Sequence, residues 1–328
     1  MLSSTPAGGR PERVSGLRKV PSLHRLARGT ALLLTLAAPA CGPREPPPPR
    51  VAASIFPLYD IVRRVAGRRL EVDLVLPPGH TTHSFDPRPQ DVAKLADAQI
   101  VFAVGLGLDG WVAEMAKNAG AGKERVFNVG PLVDPILVPE RVIRLAEGEG
   151  ASGHGRGAES PIDPHFWLDP VRAARATDVV VAALQKLDPG EAPFYRIRGD
   201  DLKRSLDALH VRIGRRSVAW THRTLVTFHG SMYYYADRYR LEVAAVVEPV
   251  PGREPTARYM ADVLDAIRKA GVVALFSEPQ LDPRAARAIA GEAGLPLYEI
   301  DPVGGSPGVD TYEKMLDQVT DVLDKALR

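Results

Sequence analysis

The chain has 328 residues, of which 45% are hydrophobic and 25% are charged, and its formal net charge is +2. This composition is ordinary for a globular protein with a sizeable core, and the length suggests two domains. A net charge so close to zero gives no sign of a nucleic-acid-binding surface. Much of the basic excess lies before residue 50, so the rest of the chain is closer to neutral.

Residues 1–41 are predicted to be an export signal rather than part of the fold. A basic stretch leads into the apolar run TALLLTLAAPAC, which is far shorter than the ~20 residues that a membrane-spanning helix needs. The run ends at Cys41, the single cysteine, so no intramolecular disulfide can form. It is either a simple secretory signal followed by a stray cysteine, or a lipoprotein signal cleaved before Cys41 and followed by acylation of that residue.

We favour the lipoprotein, since APAC resembles a lipobox even though Ala38 stands where leucine is usual. The mature protein is then extracytoplasmic, in the cell envelope or periplasm, and anchored through a lipid on Cys41. Residues 42–50 are proline-rich and would form a tether between the membrane and the folded part.

The remaining chain alternates between strand and helix patterns. Short apolar runs such as RVAAS, LEVDLVL and AQIVFAV alternate with helical patterns over residues 51–188, and the same alternation resumes over residues 219–328. Residues 189–218 lie between them and form a highly charged helical pattern with one apolar face. The predicted fold is therefore α/β, with two lobes that each contain a mostly parallel sheet flanked by helices, joined by one long connecting helix.

Three histidines and one aspartate fall where strands end or helices begin. His83 follows a strand, His165 precedes a helix in a proline-flanked segment, and His229 and Asp301 each end a strand of the second lobe. Ligands of open α/β sheets bind beyond the carboxyl ends of the strands, and three imidazoles with one carboxylate suit tetrahedral Zn²⁺. Taken singly, each of these residues is more often an ordinary polar loop residue than a metal ligand, so the argument from topology is suggestive only.

Several segments together resemble a known family in order and over nearly all of residues 51–328. The chain is similar to the metal-binding solute-binding proteins of bacterial ABC importers for zinc and manganese. The segments that carry the resemblance are PPGHTTHSFDPRPQD, DPHFWLDP, LVTFHGSMYYYADRYRLE, EPTARYM, LFSEPQ and YEIDPVGG.

The resemblance implies a metal bound in the cleft between the lobes by His83, His165, His229 and Asp301. His80 falls at a position where the family does not require histidine. The resemblance also implies that the protein delivers its metal to an ABC transporter permease. We expect it to be a monomer without enzymatic activity.

We expect Zn²⁺ to be the metal, because three imidazoles favour a borderline cation and manganese-selective relatives tend to place glutamate at the third ligand position. Mn²⁺ and Fe²⁺ stay open as alternatives within the family. Zinc transporters of this family often carry a long histidine-rich loop in the first lobe, whereas EGEGASGHGRGAES contains only His154. An accessory metal-collecting role for this loop is therefore in doubt.

A zinc-dependent hydrolase is the alternative from another functional class. It would need an open coordination position for water and a general base, for which Glu248, Glu254 or Glu278 could be proposed. Four protein ligands leave no open position, and Glu254 and Glu278 are more simply explained as residues near helix starts. A role as a surface adhesin has no independent support in the sequence.

Overall fold

Two four-stranded parallel sheets form the centre of the molecule, which we describe from a computed structural model over residues 49–83, 85–120, 122–147, 161–250 and 252–328. The predicted export signal, most of the tether and the loop with His154 lie outside these residues. In the first sheet the strand order is β2-β1-β3-β4, and in the second it is β6-β5-β7-β8. The strands are β1 Arg50–Ala53, β2 Glu71–Leu74, β3 Ala98–Ala103, β4 Val126–Asn128, β5 Thr224–Thr227, β6 Glu242–Val246, β7 Leu275–Ser277 and β8 Leu297–Glu299.

The described part of the chain contains ten α-helices. They are α1 Phe56–Ala66, α2 Pro89–Ala96, α3 Trp111–Asn118, α4 Glu140–Glu147, α5 Pro170–Leu187, α6 Ala192–Ser217, α7 Tyr233–Tyr239, α8 Ala257–Ala270, α9 Arg284–Ala293 and α10 Tyr312–Leu327. Short 3-10 helices occur at Lys123–Arg125, Gly130–Leu132, Phe166–Leu168 and Pro189–Glu191. The predicted fold class is confirmed, and the 26-residue helix α6 is the connecting helix. The exact domain limits stay a prediction.

The two sheets share one topology, and this decides where side chains can converge. In each sheet the chain adds its second strand on one side of the first and its third strand on the other. The order therefore reverses beside β1 and beside β5, and a crevice opens there at the carboxyl ends of the strands. None of the helices in the described residues combines the length and apolar composition needed to cross a membrane.

The buried apolar residues form a core that continues through both lobes. One cluster includes Val51 and Phe102 of the first sheet, Leu206 of α6, and Tyr235 and Leu316 of the second lobe. A second, smaller cluster fills the space between the second sheet and helices α8 and α9. Wide separation of the lobes would expose part of the shared cluster to water, so the packing favours small relative movements.

Polar contacts reinforce this connection close to the cleft. The indole nitrogen of Trp167 donates to the carbonyl of Pro302 at 2.7 Å, and the Tyr312 hydroxyl donates to the carbonyl of Trp167. The fully buried Asp169, which caps α5, accepts two hydrogen bonds from the Arg238 guanidinium of α7 at 2.8 and 2.7 Å. Charged hydrogen bonds in buried positions are costly to break, so these pairs restrain the lobes.

Helix α6 contains a glycine where it lies closest to α5. A Cβ added at Gly199 would lie 2.4 Å from Cγ2 of Val181, which is closer than real Cβ atoms approach. We expect Gly199→Ala to lower the free energy of unfolding by up to about 2 kcal/mol, since overpacking costs ~1–3 kcal/mol and the gain in helix propensity returns about 1 kcal/mol. Urea denaturation of the metal-free protein measures the change.

The same helix offers a matched control for this prediction. A Cβ at Gly214 would meet no atom within 4 Å, so Gly214→Ala should stabilise the protein by about 0.5–1 kcal/mol. If both variants shift stability in the same direction and by the same amount, the close approach of α5 and α6 does not explain the glycine at position 199.

Candidate metal centre

The three predicted histidine ligands converge on one point between the lobes. Nε2 of His229 lies 3.3 Å from Nε2 of His83 and 3.3 Å from Nε2 of His165. Two nitrogens bound about 2.05 Å from a tetrahedral metal are about 3.3 Å apart, so these spacings already match a tetrahedral set. The rings surround a cavity of about 10 Å³, which also borders Trp167 and Gln280 and has room for a single ion.

The loop after β2 presents only one of its two histidines to this cavity. The carbonyl of Thr82 accepts a hydrogen bond from the indole of Trp111 at 3.1 Å, and the ring of Phe85 packs edge-on against the same indole. These contacts fix the loop next to His83. The ring of His80 is exposed and packs against Phe85 instead, so it is not part of the cluster.

Buried carboxylates orient two of the three rings. Asp163 Oδ1 lies 2.7 Å from Nδ1 of His165, and Glu278 Oε1 lies 2.7 Å from Nδ1 of His229. The hydroxyl of Ser231 donates to the same oxygen of Glu278 at 2.8 Å. A carboxylate that holds Nδ1 turns Nε2 toward the cavity, which is the usual arrangement behind a metal-binding histidine.

The sequence interpretation missed these two carboxylates. Asp163 stands two positions before His165 in the segment DPH, and that spacing was a usable signal. Glu278 was considered only as a possible base or a residue near a helix start, whereas the structure places it against His229, 49 positions away in the chain. No local pattern connects those two residues.

The charge states of the imidazoles favour metal binding by two of the three rings. Burial, reinforced by repulsion from His165 and His229, lowers the pKa of His83 to about 2. Burial and His229 lower the pKa of His165 to about 3, against the opposing effect of Glu278. Both rings are therefore neutral at neutral pH, with lone pairs free to bind a cation.

The pKa of His229 is shifted in the opposite direction. Burial is the largest single influence and would lower its pKa, but the carboxylates around it, Glu278 first among them, together outweigh burial and raise the pKa above its ordinary value. Protons therefore compete with a metal for His229 more strongly than for His83 or His165.

Asp301, the fourth predicted ligand, lies beside the cavity but outside the histidine cluster. In the described residues, the ligand atoms that all lie within 4.8 Å of one another belong to the three histidines. Asp301 is buried, and its Oδ1 accepts hydrogen bonds from Gln280, Val303 and Gly304. Its neighbours Pro302 and Val303 line the cavity. Its role as a ligand stays a prediction.

The remaining residues proposed for a hydrolase do not form a second group at the cavity. Glu254 is exposed and pairs with Arg284, and the carboxylate of Glu248 accepts a hydrogen bond from the amide of Gly252. Glu278 does border the cavity, but its Oε1 already makes hydrogen bonds with His229 and Ser231.

Comparison with known proteins decides the family. The profile of the family described as ZnuA, zinc-uptake complex component A, periplasmic, matches residues 51–326. The chain belongs to this family. This confirms the resemblance that the sequence motifs indicated.

Individual known proteins resemble the chain at low sequence identity. It is 24% identical over 279 residues to the zinc-binding lipoprotein AdcA of Streptococcus pneumoniae serotype 4, and the matched region covers 85% of this chain and 54% of AdcA. It is 24% identical over 287 residues to the manganese-binding lipoprotein MntA of Halalkalibacterium halodurans, and the matched region covers 85% of this chain and 88% of MntA. The chain thus spans about half the length of AdcA.

A solved structure supports the fold. The crystal structure of a ZnuA superimposes with a TM-score of 0.72 at 23% identity, and the match covers 86% of this chain and 100% of that chain. The names of AdcA and MntA point to different metals, so the comparisons leave the choice of metal to the chemistry of the site.

Proposed function

We propose that this protein is an extracytoplasmic solute-binding protein that captures Zn²⁺ with His83, His165, His229 and Asp301 and delivers it to an ABC transporter permease. The observation that carries the proposal is the spacing of 3.3 Å between imidazole nitrogens around a cavity the size of one ion. Membership of the ZnuA family supports the transport role. The metal is the transported substrate rather than a cofactor.

The donor set favours zinc over the alternatives Mn²⁺ and Fe²⁺. Three nitrogens and one oxygen suit a borderline cation with four ligands, whereas Mn²⁺ prefers more ligands and harder oxygen donors. Mn²⁺ and Fe²⁺ also stand below Zn²⁺ in intrinsic affinity for such a site. The cavity has space for little more than one ion or one water molecule, which suits a small coordination shell.

Metal release can occur because the ligands come from both lobes. His83 and His165 come from the first lobe, and His229 and Asp301 come from the second, so a small tilt of one lobe or a shift of one loop would remove part of the shell. A permease that binds this altered state more tightly than the loaded state would favour transfer. The shared core limits the tilt, and a wide opening is not needed.

The location and assembly of the protein form part of the proposal. AdcA and MntA are both named as lipoproteins, which supports an extracytoplasmic chain held at the membrane through acylated Cys41. Stable anchoring requires two or more acyl chains, so the mass of the native N-terminal peptide is the direct measurement. A monomer without enzymatic activity is the form that we propose for delivery.

Metal competition tests the function. The purified metal-free protein is incubated with equal concentrations of Zn²⁺, Mn²⁺ and Fe²⁺ without oxygen, desalted and analysed for bound metal. We expect zinc at about one ion per chain, because the site has four donors and the intrinsic affinity order favours zinc. Retention of manganese or iron would overturn the choice of zinc, and failure to retain any metal would overturn the function.

A further inference from the structure

Gln280 connects the histidine cavity to the predicted carboxylate ligand. Its side chain lines the cavity together with the three histidines. Its amide nitrogen donates to Oδ1 of Asp301 at 2.6 Å. The backbone amides of Val303 and Gly304 donate to the same oxygen at 3.0 and 2.9 Å. Three donors therefore converge on one oxygen of Asp301.

This arrangement leaves only one oxygen of Asp301 for a metal. Of the three donors to Oδ1, Gln280 makes the shortest hydrogen bond, and its side chain also lines the cavity, so it shields this oxygen from a metal there. Within the described part of the chain, every hydrogen bond to Asp301 ends at Oδ1, and Oδ2 is left to act as a ligand.

The orientation of the Gln280 amide is fixed by the same contact. If the amide were turned over, its Oε1 would face the acceptor Oδ1 of Asp301 at hydrogen-bond distance, which is repulsive. In the observed orientation Oε1 is buried and has no hydrogen-bond partner among the described residues. A buried acceptor without a partner is costly, and such groups often mark functional positions.

We propose that Gln280 is a positioning residue that holds Asp301 as a ligand through one oxygen and thereby sets the preference for Zn²⁺ over Mn²⁺. The proposal rests on the proposed function. One oxygen and three imidazole nitrogens give the four ligands that zinc prefers. A carboxylate that binds through both oxygens would raise the coordination number and the share of oxygen donors, both of which suit Mn²⁺.

Gln280→Met tests the proposal, because methionine has similar length and no hydrogen-bond donor. Paired titrations with Zn²⁺ and Mn²⁺ should show a fall of about tenfold or more in the Zn²⁺/Mn²⁺ affinity ratio, on the scale typical of residues behind metal ligands. X-ray absorption at the zinc edge should show an added oxygen ligand in the variant. Gln280→Ala removes the donor without adding bulk and serves as a second variant if the first does not fold.

Gln318→Met is the matched control. Gln318 lies on α10 and also has a buried Oε1 without a partner in the described residues, but it does not line the cavity. The control should leave the affinity ratio unchanged. A wild-type protein that binds no metal would defeat the proposed function itself. A wild type that binds zinc, with Gln280 variants whose ratio and coordination number are unchanged, would defeat this inference alone.

Discussion

Replacing His165 with alanine is expected to weaken zinc binding sharply while the metal-free fold stays intact. The substitution removes one of the three converging nitrogens, and alanine offers no ligand atom in its place. Loss of a residue behind a ligand typically costs 10–100-fold in affinity, and loss of the ligand itself should exceed about 100-fold. Competition against a chromophoric zinc chelator measures the change.

His80→Ala is the control for this variant. It removes an imidazole from the same cleft-facing loop as His83, but from an exposed ring outside the cluster. We expect its zinc affinity to stay within about twofold of the wild type, as for an exposed side chain outside the site. Circular dichroism of the metal-free His165→Ala protein checks that the fold is intact. Unchanged affinity in His165→Ala would remove that residue from the site.

The sequence predicted the α/β fold because its periodic patterns are strong and local. The connecting helix was expected within residues 189–218 and is observed at Ala192–Ser217, where most of its apolar face is buried but Ile197 is exposed. Only the packing against Val181 explains why a small residue is suited to position 199 of this helix. Helix α4 was not predicted.

The candidate site was predictable where topology constrains it. His229 ends β5 and His83 follows β2, so the rule about carboxyl ends of strands places both at the crevice. The spacing of 3.3 Å between the ring nitrogens could not be inferred, because it depends on how the two lobes pack. The contacts of Glu278 with His229 and of Gln280 with Asp301 depend on that packing as well.

The difference in pKa among the three imidazoles predicts how zinc binding depends on pH. Only a neutral imidazole can bind the metal, so a raised pKa means that protons compete at a higher pH. The pKa of His229 is raised, whereas those of His83 and His165 are lowered to about 2 and about 3. As the pH falls through the pKa of His229, one proton competes with zinc, and the other two rings stay neutral.

Zinc affinity should therefore fall about tenfold per pH unit below the pKa of His229, and about one proton should be released per zinc bound near pH ~5.5. Calorimetric titration in buffers of different ionisation enthalpy counts these protons. Glu278→Gln is the matched variant: it keeps a side-chain oxygen near Nδ1 of His229 and removes the charge that raises this pKa most. Its overall affinity should be lower, but the loss of zinc should begin at a lower pH than in the wild type. Release of close to three protons near pH ~5.5, or an onset that Glu278→Gln does not move, would show that the carboxylate behind His229 does not set the acid sensitivity of the site.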